Sequence, residues 1–385
     1  MKITYIYPSL HNPGGISRVL TLKMNYLADV MGHEVSIITY SQFDKGIFFP
    51  LSPLVKQMHF DISRNTNFEG SFFKKKKEEY LFLKTLRHHI EDFLEKKPQD
   101  IVITTTFGLE HKFLYKLKDA SKKIGEFHFA FNKSPLSALK NFGKVRHPKD
   151  ILDLFARRNY INSISGLDAF VLLTKQDMIS WERHFKNLYH ISNPITLETN
   201  QISEVKSKNV LAIGRFHHQK GFDYLVRIWD KVVKQHPDWT LKIVGDGEQE
   251  TAIRNFIKKN DLENNICIIK PKPDVHKEYL DASIYVMTSR FEGLPLVLIE
   301  AMHFGLPIVS YNCQCGPSDL VKNETNGYLT PVGDIDKTAE HICELIENPD
   351  LRSKFGLANR KKSFNYKVAP IMETWESLFK TIIKQ

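Results

Sequence analysis

The chain has 385 residues, of which 42% are hydrophobic and 25% charged, with a net charge of +10. That length suits two or three globular domains, and the composition supplies a sizeable core, which excludes a disordered or fibrous chain. No run of about 18 apolar residues occurs, and the opening MKITYIYPSL lacks the long apolar region and cleavage site of a secretion signal, so a cytoplasmic protein without a transmembrane helix is expected.

The opening stretch reads instead as a strand, KITYIYP. A helical spacing of apolar residues follows in ISRVLTLKMNYLADVM, then a second strand, HEVSIITY. Further strands are expected at DIVITTT, KIGEFHFAF, LDAFVLLT and LYHISNP, with helical patterns between most of them. This alternation predicts a parallel sheet covered by helices on both faces. Between them, FFKKKKEEYLFLKTLRHHIEDFL (72–94) sets Tyr80, Leu83, Leu86, Ile90 and Phe93 on one helical face. Such a helix is read either as core-facing with a solvated lysine run, or as carrying Phe72, Phe73 and Lys74–Lys77 to an anionic membrane surface.

Residues 194–208, PITLETNQISEVKSK, are polar and aperiodic, and read as a linker. The alternation then restarts with strand NVLAIG, helix GFDYLVRIWDKVVKQH, strand WTLKIVG, helix EQETAIRNFIKKN and strand NICIIK. Strands ASIYVMTS and LPIVSYN flank a helix containing Glu300. The final segment, VAPIMETWESLFKTIIKQ, is amphipathic and is expected to return to the first domain. The expected fold is α/β, with two doubly wound Rossmann-like domains, 1–197 and 205–364, facing each other across a cleft. The helix at about 367–385 packs back on the first domain. Ligands belong at the carboxyl ends of the strands.

Charge divides unevenly between these halves. Residues 1–197 hold 29 Lys and Arg against 19 Asp and Glu, and residues 198–385 hold 25 of each. The whole excess lies in the first half, which points to an anionic surface or ligand there. The cysteines, Cys267, Cys313, Cys315 and Cys343, read as free thiols, and no metal-ligand spacing is present.

Four strand-to-helix junctions carry the candidate chemistry. Backbone N–H groups and the helix dipole favour anions at such places. Gly14 and Gly15 follow the first strand and open a helix, allowing close backbone approach to a phosphate or sugar, although the spacing is not that of a dinucleotide fingerprint. In AIGRFHHQKGFDYL, Arg215 and Lys220 flank a loop with glycines at both ends, Gly214 and Gly221. A forked guanidinium and a point-charge ammonium there suit a diphosphate. His128, in EFHF, lies at a strand end, where it reads either as a cleft residue or as a satisfied core histidine. In SRFEGLPLVLIEAMHFGLPIVS, Glu292 sits on a loop and Glu300 inside an apolar helix that Pro295 opens. A buried carboxylate needs partners, and ligand hydroxyls are the expected ones for Glu300.

Together, the Glu292/Glu300 pair, the GRFHHQKG stretch, the early PGG and the GPSDLV that follows resemble retaining glycosyltransferases of family 4, with the GT-B fold. The resemblance covers nearly the whole chain and is strongest from 209 to 335. It implies that Gly15, beside Gly14, approaches the donor phosphate and reaction centre. It implies that His128 contacts the donor sugar, and that Arg215 and Lys220 stabilise the leaving diphosphate beside Gly214. Glu292 would hold the transferred sugar and Glu300 the ribose, while backbone groups of Gly293, Leu294, Pro295, Leu296 and Val297 cap the distal phosphate and sugar. Glu126 is the candidate match for an acidic residue the family places near the histidine. Asn312 and Gln314 depart from the Asp-Cys-Pro common at that point.

The resemblance further implies a nucleotide-sugar donor, expected to be a UDP-sugar, with no cofactor and no metal. A hexose or N-acetylhexosamine would pass to a glycan or polyprenyl-diphosphate-linked acceptor in cell-surface polysaccharide synthesis. Peripheral contact with the anionic inner face of the membrane is expected, and no nucleic-acid partner. The alternatives are a nucleotide-sugar epimerase of the same fold and a peripheral module binding anionic ligands.

Overall fold

The computed structural model describes residues 1–62, 72–106, 108–131, 134 and 158–385, with the side chains of Phe72 and Phe73 also outside the described set. The chain divides into two compact units. The first comprises Met1–Ser192 with Val368–Gln385, and the second Asn193–Lys367.

The first unit is built on a seven-stranded sheet in the order β3-β2-β1-β4-β5-β6-β7. The strands are β1 (Lys2–Tyr7), β2 (Glu34–Thr39), β3 (Lys56–His59), β4 (Ile101–Thr104), β5 (Lys122–Phe127), β6 (Ala169–Leu172) and β7 (Leu188–His190). Every pairing is parallel; Tyr5, for example, registers with Ile37 on one side and Ile103 on the other. The inner strands are buried on both faces, as covered parallel strands must be. Side chains alternate between two cores. Ile3, Tyr5, Ile37 and Ile103 face one core, shared with helices Gly15–Asp29 and Val368–Ile383. Ile6, Ile38 and Val102 face the other, against helix Phe72–Lys96. The C-terminal helix buries Val368, Ile371, Met372, Trp375, Leu378, Phe379 and Ile382, a stripe at three- and four-residue spacing.

Helix Phe72–Lys96 corrects one detail of the sequence reading. Its buried stripe is Phe82, Leu86, Ile90, Phe93 and Leu94, whereas Tyr80 is 65% exposed. Tyr80 lies about a third of a turn off the centre of that stripe, at the 100° step of an α-helix. Lys74–Lys77 are exposed.

The second unit carries a six-stranded parallel sheet in the order β10-β9-β8-β11-β12-β13. These are β8 (Asn209–Ile213), β9 (Thr240–Val244), β10 (Ile266–Ile269), β11 (Ile284–Met287), β12 (Ile308–Tyr311) and β13 (Gly327–Thr330). The order is that of a dinucleotide-binding sheet, and the first unit has it too, with one strand added. In each, the direction of winding reverses beside the first strand: between β1 and β4, and between β8 and β11. Loops leaving the carboxyl ends of such a pair diverge and leave a crevice.

Residues 193–208 contain no helix or strand, yet they are not a free spacer. Ile195, Leu197, Ser203 and Val205 are buried, and the segment belongs to the second unit. The Ser203 N–H donates to the Phe304 carbonyl at 2.9 Å. Polar composition made this stretch look like a linker, but Ile195, Leu197 and Val205 pack into the unit.

Candidate functional site

In the second unit, the crevice between β8 and β11 is where the sequence-predicted residues gather. β8 runs into Gly214 and Arg215, then a 3-10 turn, His218–Lys220, and Gly221. Gly221 has φ +66 and starts helix Phe222–Val232. A Cβ there would lie 2.1 Å from the Thr288 carbonyl oxygen. Only glycine permits both the left-handed turn and this approach, so the β8 loop rests directly on the end of β11.

The two loops are stitched together. Lys220 Nζ donates to Glu292 Oε1 at 2.8 Å, with the Glu292 side chain 7% exposed and that of Lys220 25%. Thr288 Oγ1 donates to the Gly221 carbonyl at 3.0 Å. Gln219 Nε2 donates to the Phe291 carbonyl, and the Arg290 N–H to the Gln219 carbonyl. Arg290 forks onto Asp223, at 2.8 and 2.7 Å, while lying 4.1 Å from the Tyr224 ring centroid. Burial pushes the Asp223 carboxyl up, but the Arg290 hydrogen bonds and charge hold it below its ordinary value. Bidentate geometry and aromatic stacking are what a guanidinium provides and an ammonium does not.

Arg215, by contrast, is exposed and makes no side-chain hydrogen bond or ion pair among the described residues. A cation left without a carboxylate beside a paired one is a fitting arrangement for an anionic ligand. Lys220 has three N–H groups and gives one to Glu292, so its paired state leaves donors for a phosphate.

Gly293, Leu294 and Pro295 continue the loop into helix Leu296–His303. Pro295 is the residue before the helix and not its first turn, and no side chain caps the helix start. Gly316, at φ +95, crosses this loop so closely that a Cβ would stand 2.3 Å from Pro295 Cδ and 2.7 Å from the Gly293 carbonyl. The Cys313–Gly316 turn therefore buttresses the Glu292 loop, and Gln314 bridges to Phe291. Burial, with the Glu292 charge adding to it, pushes the Cys313 thiol up to about 12. None of the four cysteines forms a disulfide.

Glu300 is buried as expected, and two protein hydroxyls hold it. Thr196 Oγ1 donates to Oε1 at 2.6 Å and Tyr279 OH to Oε2 at 2.8 Å. The Tyr279 ring is fixed by stacking on Phe304, 4.8 Å between centroids at 10°. Thr196 is fixed through its neighbours: Arg360 donates to the Thr199 carbonyl at 2.9 Å, and the Thr199 N–H donates to His303 Nε2 at 3.3 Å. Burial, with the Arg360 charge, pulls His303 down to about 4. Each carboxylate oxygen has more than one acceptor direction, so these hydroxyls orient Glu300 without exhausting it.

In the first unit, Gly14 caps helix Gly15–Asp29 with φ −79 and no side-chain hydrogen bond. A Cβ added at Gly14 would meet nothing within 4 Å. The fold itself does not demand glycine there. His128 is the first residue past β5, is 8% exposed, and places Nε2 3.1 Å from Glu126 Oε2. Glu126 is also bound by Lys23 Nζ at 2.7 Å. Burial pushes the Glu126 carboxyl up, but the Lys23 charge and the His128 contact outweigh it and hold it well below the carboxylate range.

Sequence reasoning missed Lys23, Thr196, Asp223, Tyr279 and Arg290. It also missed Gly245, where a Cβ would stand 2.0 Å from the Gly214 carbonyl oxygen. Among the described residues, no group of three or more His, Cys, Asp or Glu could hold a metal, and no helix is long and apolar enough to cross a membrane.

Residues 196–362, nearly the whole of this second unit, match the family model described as glycosyl transferases group 1. Over 387 residues, covering 98% of this chain and 99% of the relative, the chain is 30% identical to an uncharacterized glycosyltransferase of Haemophilus influenzae. It is 35% identical over 220 residues to the amylovoran biosynthesis glycosyltransferase of Erwinia amylovora, a match spanning 55% of this chain and 62% of that one. Among solved structures, sucrose-phosphate synthase from Thermosynechococcus elongatus superimposes with a TM-score of 0.78 at 17% identity, covering 99% of each chain. A TarM variant from S. aureus, solved with UDP among its ligands, gives 0.73 at 18%, covering 98% of this chain and 100% of that one. At these identities the likeness shows the fold, two parallel-sheet Rossmann-like domains of the GT-B class. The full-length sequence match goes further: this chain is a glycosyltransferase and belongs to the glycosyl transferases group 1 family.

Proposed function

We propose that this glycosyltransferase is a retaining enzyme of family 4. It would move a hexose or N-acetylhexosamine from a UDP-sugar to a glycan or lipid-linked acceptor in cell-surface polysaccharide synthesis. The observation that supports this most is the β8/β11 crevice. There Arg215 is unpaired among the described residues, Lys220 is paired with Glu292, and an uncapped helix leads to an oriented Glu300. The Erwinia relative named for amylovoran biosynthesis supports the polysaccharide role, and the UDP in the TarM complex supports the nucleotide.

In this reading Glu300 accepts from the ribose hydroxyls, and the helix amides from Leu296 onward face the distal phosphate and sugar. Glu292 holds the sugar while Lys220 and Arg215 hold the diphosphate. The acceptor oxygen attacks the anomeric carbon on the face the diphosphate leaves. The carbon–oxygen bond to phosphate breaks, and the departing phosphate oxygen takes the acceptor's proton. Catalysis then comes from positioning and fixed charge. The two cations carry the leaving-group charge, and the reading calls for no metal or cofactor.

A panel of UDP, GDP, ADP and their sugar conjugates tests the donor assignment. UDP or a UDP-sugar at 100 times its dissociation constant should add about 2.7 kcal/mol of stability. A larger shift with GDP or ADP would overturn the choice of nucleotide, and no shift with any would remove the donor site as drawn.

Gly14 separates fold from function. Gly14→Ala should change stability by no more than about 1 kcal/mol, since the φ suits any residue and the space is open. If the donor approaches that backbone, transfer should fall at least about tenfold, the equivalent of about 1.4 kcal/mol. Unchanged turnover would take Gly14 out of the site.

The reading includes peripheral contact with an anionic membrane through the basic first half. Exposed Lys74–Lys77 are its natural anchor, at about 1 kcal/mol for each basic residue near the surface. Binding to anionic vesicles should weaken with salt, and equal binding to neutral vesicles at all salt would count against it.

A further inference from the structure

The first unit buries a lysine that the donor reading does not use. Lys23 lies two turns into helix Gly15–Asp29, among buried Val19, Leu20, Met24 and Leu27, and is 1% exposed. Its Nζ donates to Glu126 Oε1 at 2.7 Å and stands 3.8 Å from the Trp375 ring centroid and 5.8 Å from that of Tyr5. The other carboxylate oxygen, Oε2, faces His128 Nε2 at 3.1 Å. Four elements meet here: the helix of Lys23, β1 with Tyr5, β5 with Glu126 and His128 just past its end, and the C-terminal helix with Trp375.

Stability alone does not call for this cluster. A buried ion pair can usually be exchanged for apolar side chains at little or no net cost, and methionine at 23 would continue the stripe. What the pair does is set the field at His128. An ammonium bound to a buried carboxylate keeps it ionised, and an ionised carboxylate can only accept. The His128 imidazole then presents Nε2–H to Glu126 Oε2, which fixes the ring. The indole face stabilises the ammonium where water is excluded.

We propose that Lys23, seated on Trp375, is a positioning residue that keeps Glu126 a hydrogen-bond acceptor and so holds the His128 ring with Nε2–H on that carboxylate. This rests on the reading of His128 as a donor-sugar contact, and it makes the returning C-terminal helix part of the electrostatics of the site. Among the described residues, the ionisable groups of the cluster are Glu126, which touches His128, and Lys23 and Tyr5, which act on Glu126. Burial, reinforced by the Glu126 charge, raises the Tyr5 phenol well above its ordinary value and keeps it neutral. Burial pulls the Lys23 ammonium down, and Glu126 opposes that pull.

The test uses the full chain labelled with nitrogen-15 in its histidines, with the His128 ring signals assigned by their loss in His128→Gln. The wild type should show Nε2–H hydrogen-bonded to the carboxylate. In Lys23→Met the buried Glu126 carboxyl loses the cation that holds it ionised, so it can take up a proton and donate to a bare Nε2; the fixed Nε2–H form should be lost, and Lys23→Arg should restore it. Turnover lost in Lys23→Met at neutral pH should return as pH is raised and the carboxyl ionises again, which a purely structural defect would not do. Should Lys23→Met fail to fold, the double variant Lys23→Met with Glu126→Gln removes both charges. Its ring should lose the fixed tautomer, because an amide can accept from Nε2–H or donate to a bare Nε2. A ring that keeps its fixed Nε2–H form in whichever variant folds would overturn the proposal. Full turnover in His128→Ala would remove the donor-contact reading while leaving the nitrogen-15 result standing.

Discussion

Replacing Lys220 with alanine should slow sugar transfer by about 10²- to 10³-fold, the range for losing one preorganised group that meets developing charge. The loss should appear mainly in kcat, because the charge on the diphosphate grows as the bond to the sugar breaks. Lys220 is suited to this by its setting. It is partly buried, and Glu292 fixes its Nζ at 2.8 Å. Arg290, clamped by Asp223 and Tyr224, holds the neighbouring backbone. Arg215→Ala should cost a similar factor in rate with less effect on stability, since Arg215 is exposed and unpaired among the described residues. In Lys220→Ala the buried Glu292 loses its cation, so part of the defect should be structural. Turnover near wild type in both variants would remove the leaving-group role.

Gly221→Ala should destabilise the second unit by about 3 kcal/mol or more. A left-handed φ of +66 costs a residue with a Cβ about 1–2 kcal/mol. The Thr288 carbonyl oxygen 2.1 Å away adds overpacking of about 1–3 kcal/mol, against backbone that no rotamer change can move. For a unit of this size, that corresponds to a midpoint lower by roughly 6–12 °C. Differential scanning calorimetry should show the loss in one transition if the two units unfold separately. A midpoint within about 1 °C of wild type would mean that the β8 loop does not rest on β11 as described.

These two residues also show what could be read from sequence. Lys220, Gly221, Glu292 and Glu300 lie in stretches where glycines, cations and carboxylates cluster at strand ends, so their local pattern pointed to a site. The inner strands were legible because parallel strands buried on both faces are continuous apolar runs. β3, Lys56–His59, has the burial of an edge strand and no apolar run, and β13 begins at a glycine with φ +159. Neither stands out without its partner.

The supporting residues were invisible for a different reason. Lys23 interrupts an apolar helix stripe, and a lysine in that place ordinarily extends its stem and reaches water. Its partner Glu126 is 103 residues away. Arg290 and Asp223 are 67 apart, and Thr196 and Glu300 are 104 apart. Each looks like ordinary surface or linker material until the sheet order brings it to its partner. The hydroxyls that orient Glu300 were out of sight for the same reason: local sequence showed a buried carboxylate but not Thr196 and Tyr279 beside it.

The measurement closest to the central claim is the anomeric configuration of the transferred sugar, read by proton NMR of the product formed from a UDP-sugar and a glycan acceptor. The donor's α-configuration kept in an acceptor-dependent product is the expected result. An inverted product would contradict same-face attack, and an altered donor formed without acceptor would replace transfer with epimerisation.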